Sequence, residues 1–140
     1  MAKYAKDTTV TIEKSKIQIQ KLFIDWGITE FFFGTSIRGD GIGFQYNGRT
    51  YKWNIIIPKE KHLTDNQQRA RGRQRWRILY MSLKMKLEEV SSGAETFEDQ
   101  FLAKMCLPNG NTVADFMKLP ENVAKLAESK MPSLLTGEIQ

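Results

Sequence analysis

The stretch from Gln67 to Val90, QQRARGRQRWRILYMSLKMKLEEV, carries seven of the 21 basic residues of the chain and has no acidic residue before Glu88. Its apolar side chains recur at steps of three and four residues, which is the spacing of one buried face of an α-helix. These apolar positions are Trp76, Leu79, Tyr80, Leu83, Leu87 and Val90. The pattern predicts a long amphipathic helix against which the rest of the chain packs.

The N-terminal half of this helix is wrapped by arginines. Arg69, Arg73 and Arg77 repeat every four residues, whereas Arg71 and Arg75 lie on another side of the helix. Positive charge near the positive end of the helix dipole is unfavourable, unless a polyanion binds there. Two interpretations stay open at this point, a solvated basic face and a surface that binds nucleic acid or another anion.

Local signals also locate the start of the helix. Thr64 or Asp65 is the predicted N-terminal cap, because short oxygen-bearing side chains accept hydrogen bonds from the free amides of a first turn. Gly72 weakens a helix interior by roughly 1 kcal/mol relative to alanine. The ordered helix is therefore expected to fray at its start or to begin nearer Arg73.

The remaining pattern predicts an α+β fold. We expect an N-terminal helix, a three-stranded antiparallel meander, the long basic central helix and short C-terminal helices. The first helix is placed at residues 12–26 with Thr11 as its cap, although the alternation in residues 16–21 also fits a strand. The predicted strands are 29–36, 42–46 and 49–58, with a turn at 38–41 and a hairpin at Asn47-Gly48. Short helices are expected from the caps Thr96 and Thr112, and then over residues 121–129.

Length, charge and single residues limit the class of protein. The 140 residues are expected to form one domain, with residues 1–10 and 133–140 flexible. The net charge is +5, and residues 69–94 alone contribute +5, whereas residues 95–140 contribute −3. One cysteine, Cys106, and one histidine, His62, predict neither a disulfide nor a metal site. No cofactor is implied, and the expected location is the bacterial cytoplasm.

Catalytic signals are weak. The glycines at positions 34, 39, 41 and 43 are not followed by the Gly-Lys-Ser/Thr of a phosphate-binding loop, so hairpin turns are the favoured interpretation. Asp25, Glu30 and Asp40 are too scattered to predict a metal-dependent nuclease, which is kept only as a third hypothesis.

Aromatic and basic side chains of the meander are candidate contacts for nucleic acid. Phe32 points to the opposite face from its neighbours, because strand residues alternate. An exposed Phe32 or Tyr46 can stack on a base, and Lys52 can extend the basic track together with Lys84 and Lys86. Two alternatives stay open, namely that both faces of the sheet are covered or that Phe32 is buried in a dimer.

Several short motifs make the chain resemble a family of small, uncharacterised proteins encoded by prophages and other mobile elements. They are Gln74-Arg75-Trp76-Arg77, Lys84-x-Lys86-Leu87-Glu88-x-Val90-x-x-Gly93, Glu95-Thr96-Phe97-Glu98-x-x-Phe101-Leu102, Leu107-Pro108-x-Gly110-x-Thr112-Val113, Met131-Pro132-x-Leu134-Leu135, Trp26-Gly27 and Gly43-Phe44-x-x-Asn47-Gly48-Arg49. The resemblance implies a phage setting, in which DNA replication, recombination and counter-defence are common tasks. It implies no catalytic residue.

The order helix, three strands, helix is similar to that of double-stranded-RNA-binding domains and of single-strand annealing proteins, although the sequence motifs of both are missing. The leading hypothesis is a non-catalytic phage protein that binds single-stranded DNA through phosphate contacts. The alternative is an anti-defence or regulatory protein that binds an acidic host protein or a nucleotide signal. In either case the protein can form a homo-oligomer, and no membrane partner is expected.

Overall fold

The computed structural model describes residues 3–130 and has the mixed α+β architecture that the sequence predicts. A first helix is followed by three antiparallel strands, a long central helix and a series of short helices. The elements are α1 (Ile12–Asp25), β1 (Glu30–Ser36), β2 (Gly39–Tyr46), β3 (Arg49–Ile55), α2 (Asp65–Ser91), α3 (Phe97–Phe101), a 3₁₀ turn (Leu102–Lys104), α4 (Val113–Met117) and α5 (Pro120–Ala127). The expectation of flexibility at residues 133–140 lies outside the described residues.

Helix α1 has the predicted cap and the predicted stop. The Thr11 Oγ1 accepts a hydrogen bond from the Lys14 N–H at 3.1 Å, which satisfies one of the free amides of the first turn. At the other end Gly27 has φ of 77°, a left-handed conformation that terminates helices at low steric cost. The alternating residues 16–21 are helical, so the strand alternative for them is wrong.

The three strands form one antiparallel sheet in the order β1-β2-β3. Phe44 in the middle strand pairs with Phe31 on one side and with Tyr51 on the other. The turn between β2 and β3 is Asn47-Gly48, whose φ values of 51° and 76° are those that a tight two-residue hairpin requires. The predicted hairpin is thereby confirmed.

The turn between β1 and β2 differs from the prediction. The sequence places it at residues 38–41, but β2 begins at Gly39 and the turn consists of Ile37-Arg38. The alternate glycines of β2 lie on the face of the sheet that points away from the helices. A Cβ at Gly43 would lie 2.4 Å from two atoms of the Phe32 ring. Gly43 thus serves close packing on a sheet face, which the usual association of glycine with turns does not reveal.

The two edges of the sheet differ. The chain that follows the 3₁₀ turn covers the outer edge of β3, where Tyr51 forms a bridge with Met105. Next to it the Cys106 N–H donates a hydrogen bond to the Thr50 carbonyl oxygen at 2.7 Å. Strand β1 forms the other edge and has no such cover among residues 3–130.

Helix α2 is continuous over its 27 residues. The Thr64 Oγ1 accepts from the Gln67 N–H at 3.2 Å, and the Gln67 side chain accepts from the Thr64 N–H at 2.9 Å, which is a reciprocal capping box. The expectation that Gly72 frays the start of the helix is wrong. A Cβ at Gly72 would lie 3.0 Å from the Ile12 Cδ1, so this glycine lets α1 approach α2 closely.

Helices α1 and α2 lie side by side and run in the same direction. Ile12 meets Gly72 near their starts, and further along the Arg77 guanidinium donates a hydrogen bond to the Gln18 Oε1. The connectivity explains this arrangement, because every connection from α1 through the three strands to α2 reverses the chain. As a result, polar side chains of α1 face polar side chains of α2 across a shared groove.

One cluster of buried side chains joins the sheet to both long helices and to α3. Phe44 lies near its centre and is 1% exposed. Helix α2 contributes the stripe that the periodicity predicts, and its buried members are Trp76, Leu79, Leu83 and Leu87. Burial of this stripe fixes which sides of α2 remain for polar contacts.

The C-terminal helices begin close to the predicted positions. Thr96 caps α3 and Thr112 caps α4, each through its side-chain oxygen. The helix predicted over residues 121–129 is α5, and it ends at Ala127. The phenylalanines of α3 face the core, whereas Leu102 of the following 3₁₀ turn is 46% exposed.

The N-terminal segment contacts the outer side of α2. The Gln74 Nε2 donates a hydrogen bond to the Tyr4 carbonyl oxygen at 2.9 Å. Gln74 is 8% exposed, although it lies nearly opposite Trp76 on the helix. Part of the segment that the sequence predicts as flexible therefore covers α2 in this structure.

Candidate nucleic-acid interface

The basic residues of α2 form two rows on opposite sides of its buried stripe. An α-helix turns by about 100° per residue, so residues four, seven or eleven apart share a side. The α1-side row consists of Arg69, Arg73, Arg77 and Lys84. The loop-side row consists of Arg71, Arg75 and Lys86. The predicted wrapping of α2 by arginines thus takes the form of two separate rows.

Two residues of the α1-side row have defined contacts. The Arg77 guanidinium donates to Gln18 of α1 and lies over the Tyr80 ring, 4.8 Å from its centroid. A guanidinium has five N–H donors, so these contacts orient the group without using all of its donors. Arg69 is exposed at the start of the row, where its Nη2 donates to the Asn66 Oδ1 at 2.6 Å.

A groove between α1 and α2 continues this row. Lys21 of α1 and Lys84 of α2 line it together with Gln18, and its volume is about 350 Å³. Lys14 lies on the same side of α1, four residues before Gln18. Asp25 is the acidic residue that lines this groove. Helix α1 thus adds two cations, Lys14 and Lys21, that sequence reasoning missed.

The loop-side row is more enclosed. The Arg71 Nη1 lies 3.0 Å from a carboxylate oxygen of Glu60, which belongs to the loop before α2. Burial lowers the pKa of the Arg75 guanidinium, although the group stays charged at neutral pH. Strand β3 ends at Ile55, so residues 56–58, which the sequence assigns to that strand, instead line a cleft beside both arginines.

The arginines of α2 have few acidic partners. Within residues 3–130, Arg71 is the one arginine of this helix that lies within 4.0 Å of a carboxylate. The acidic residues of α3 do not pair with α2, because Glu98 pairs with Arg49 of β3 at 3.3 Å. Excess positive charge therefore remains along α2 in the part of the chain that the structure describes.

Phe32 and Lys52 lie on a different surface from α2. Phe32 is 54% exposed on the open face of the sheet, where its ring covers Gly43. Lys52 pairs with Gly43 from the other side and points to the same face. The Lys52 Nζ donates to the Gly110 carbonyl oxygen. The helices cover the opposite face of the sheet, so the predicted extension of the α2 track by Lys52 is wrong.

Of the two predicted aromatic contacts for nucleic acid, Phe32 and Tyr46, Tyr46 is the less exposed to solvent. It is half-buried, and its ring stacks on Phe97 of α3 with the centroids 4.0 Å apart. One face of the Tyr46 ring is therefore already covered by a protein ring. Tyr80, a member of the predicted apolar stripe of α2, is the aromatic residue that lines the α1–α2 groove.

The described residues show no metal cluster and no membrane span. Within residues 3–130, no group of three or more His, Cys, Asp or Glu side chains is placed to hold a metal ion. No helix in the same range has the length and apolar character that crossing a bilayer requires.

Comparisons with known proteins give no further assignment. No family model matches the chain, and neither a curated protein nor a solved structure matches it. The resemblance to prophage-encoded proteins stays a prediction.

Proposed function

We propose that this protein is a non-catalytic nucleic-acid-binding protein of a phage, acting on single-stranded DNA during replication or recombination in the bacterial cytoplasm. The observation that carries the proposal is the α1-side row of α2. Its arginines have no carboxylate within 4.0 Å among residues 3–130. Cations held apart from the acids of the chain are suited to the phosphates of a polyanion.

The α1–α2 groove supports contact with a phosphate backbone. Lys21 of α1 and Lys84 of α2 line this groove, and Arg77 donates to Gln18 beside it. Lys14 lies one turn before Gln18 on the same side of α1, so two parallel helices present cations along one groove. Phosphate contacts of this kind carry no sequence information, and we therefore expect binding that is largely independent of sequence.

The exposed aromatic ring of Phe32 supports a preference for single strands. Bases of a single strand are free to stack on a protein ring, and each such contact contributes about 1–3 kcal/mol. Because Phe32 lies on the other side of the sheet from α2, one strand has to bend around the protein to reach both surfaces. A flexible single strand can do so more readily than a stiff duplex.

Fluorescence anisotropy with a labelled oligothymidylate tests the proposal. We expect binding at low salt that weakens steeply between about 50 and 200 mM salt, because bound counterions are released. Substitution of Arg69, Arg73 and Arg77 by alanine removes three phosphate contacts. The plot of the logarithm of the association constant against the logarithm of the salt concentration should then be less steep by about 2, at roughly 0.7 per phosphate contact for single strands.

A matched variant controls for net charge. Substitution of Lys118, Lys125 and Lys130 by alanine also removes three positive charges, but from the C-terminal part of the chain. This variant should keep most of the affinity and the original slope. Equal loss of binding by both variants, or no binding of the wild-type protein at low salt, would remove the proposal.

A second function is favoured by the cleft of the loop-side row. Arg71 and Arg75 lie beside the apolar residues Ile57, Pro58 and Ile78 in a cleft of about 190 Å³. Paired cations next to an apolar wall suit a small anion with a flat ring, such as a nucleotide signal, and also an acidic host protein. An anti-defence or regulatory role would follow from such binding.

Pull-down from a nuclease-treated host lysate separates these two functions. A protein partner remains bound after the nuclease treatment, whereas a partner bridged by DNA is lost.

The third hypothesis, a nuclease, requires cleavage of a labelled single strand that depends on a divalent metal ion. Absence of such cleavage would leave DNA binding and host-protein binding as the two functions under test.

A further inference from the structure

Strand β1 is an edge strand without the usual protection against pairing with another chain. Natural edge strands are commonly interrupted by lysine, proline or a bulge. Strand β1, EFFFGTS, has none of these, and it pairs in unbroken register with β2 from Glu30 to Ser36. Its one charged residue is Glu30 at the start. The outward backbone amides and carbonyls of β1 have no cover within residues 3–130.

The side chains of β1 also remain incompletely buried on both faces of the sheet. Phe32 is 54% exposed on the open face. Phe31 and Phe33 are half-buried on the covered face, where they pack beside Phe23 and Trp76. A further strand next to β1 would place side chains beside Phe31 and Phe33 on the covered face, while Phe32 would remain on the open face of the sheet.

We propose that β1 of one molecule pairs antiparallel with β1 of a second copy, forming a dimer with a continuous six-stranded sheet. Antiparallel pairing of identical strands obeys a two-fold axis, which is the commonest symmetry of soluble oligomers. With the axis at Phe33, Phe32 lies opposite Gly34 of the second copy, above which there is open space. In the same pairing, the Glu30 carboxylate of one copy lies near the Arg38 guanidinium in the turn that follows β1 of the second copy. These two opposite charges are complementary.

The symmetry fixes where the helices of the dimer lie. A two-fold axis within a continuous antiparallel sheet is perpendicular to that sheet, so both copies place α1 and α2 on the same side. The α1-side rows of the two copies then face one common side and double the basic surface. The use of this doubled basic surface depends on the proposed DNA binding, whereas the formation of the dimer does not.

Sedimentation equilibrium of three forms of the full chain tests the dimer. We expect the mass of the wild-type protein to rise to that of a dimer with concentration. Substitution of Phe32 and Thr35 by lysine places charges along the β1 edge at two exposed positions, and this variant should stay monomeric. The control replaces Thr50 and Asn54, which lie on the open face in β3 at the opposite edge of the sheet, by lysine and should keep the dimer.

Hydrogen exchange of the wild-type protein provides a measurement that requires no variant. Alternate amides of β1 should exchange more slowly at concentrations where the dimer forms, while exchange of the β3 amides should not change. A wild-type protein that stays monomeric overturns the proposal. A dimer that persists after the β1 substitutions also overturns it. Loss of the dimer in the control variant would overturn it as well, because that result indicates that two copies pack through the open faces of their sheets. DNA binding by a monomer would contradict only the dimer, so the two proposals fail separately.

Discussion

Replacement of Phe44 by alanine should destabilise the fold strongly, because this side chain connects the sheet to α1 and α3. Its ring is 1% exposed and lies 4.9 Å from the ring of Phe23, 5.3 Å from that of Tyr51 and 5.6 Å from that of Trp53, between centroids. Removal of a fully buried phenylalanine ring typically costs about 3–5 kcal/mol, which includes the cavity that it leaves. That loss is a large part of the roughly 5–15 kcal/mol that stabilises a typical domain.

Urea denaturation followed by tryptophan fluorescence measures this loss, since Trp53 lies next to the altered position. Phe116 provides the matched control, because the same substitution there removes a ring that is 48% exposed on α4. We expect the control to cost less than about 1 kcal/mol, as is usual for partly exposed positions. A loss below about 1 kcal/mol for Phe44→Ala, or equal losses at both positions, would refute the arrangement of the core described here.

Three further predictions concern single residues. Thr64→Ala removes one half of the capping box of α2 and should cost about 1 kcal/mol in urea denaturation, whereas Thr64→Ser should cost little. The backbone N–H of Thr112 donates to the Asp115 carboxylate and holds its pKa below the ordinary value, so this carboxylate stabilises the fold above the unfolded-state pKa. The greater free energy of unfolding of the wild type relative to Asp115→Asn should therefore vanish as pH falls through the pKa of Asp115 in the folded state. A difference that persists at lower pH would contradict the stabilising role of the ionised carboxylate. Burial raises the pKa of the Cys106 thiol, so it should react slowly with a thiol reagent at neutral pH until urea releases it, and fast reaction in the native state would contradict its packing against β3.

Local signals in the sequence predict most of the elements correctly. The three- and four-residue apolar spacing of α2 depends only on helix geometry, and the caps Thr11, Thr64, Thr96 and Thr112 depend on hydrogen bonds within three residues. The Asn47-Gly48 turn is similarly local. Such signals transfer from sequence to structure because no distant part of the chain has to be known.

The errors arise where distant residues decide the outcome. Gly72 is unfavourable in an isolated helix, but here it leaves room for the Ile12 side chain, whose Cδ1 would lie 3.0 Å from a Cβ at this position. The glycines of β2 resemble a turn until the Phe32 ring is known to lie over Gly43. In both cases a tertiary contact outweighs the local preference.

The candidate site was only partly predictable for the same reason. The arginines of α2 are evident in the sequence, but their division into two rows depends on where α1 and residues 56–60 lie. Lys14 and Lys21 enter the site only because α1 runs parallel to α2. Lys52 leaves the α2 track because strand parity places it on the face of the sheet opposite to α1 and α2.

Arginine footprinting tests most directly the claim that α2 binds a polyanion. Phenylglyoxal modification can be compared with and without oligothymidylate at low salt and read by mass spectrometry, with Arg38 and Arg49 as internal references outside α2. We predict that DNA protects Arg69, Arg73 and Arg77 most strongly, and Arg71 less because Glu60 already pairs with it. Equal modification of these arginines in both samples, or protection confined to Arg38 and Arg49, would contradict the claim.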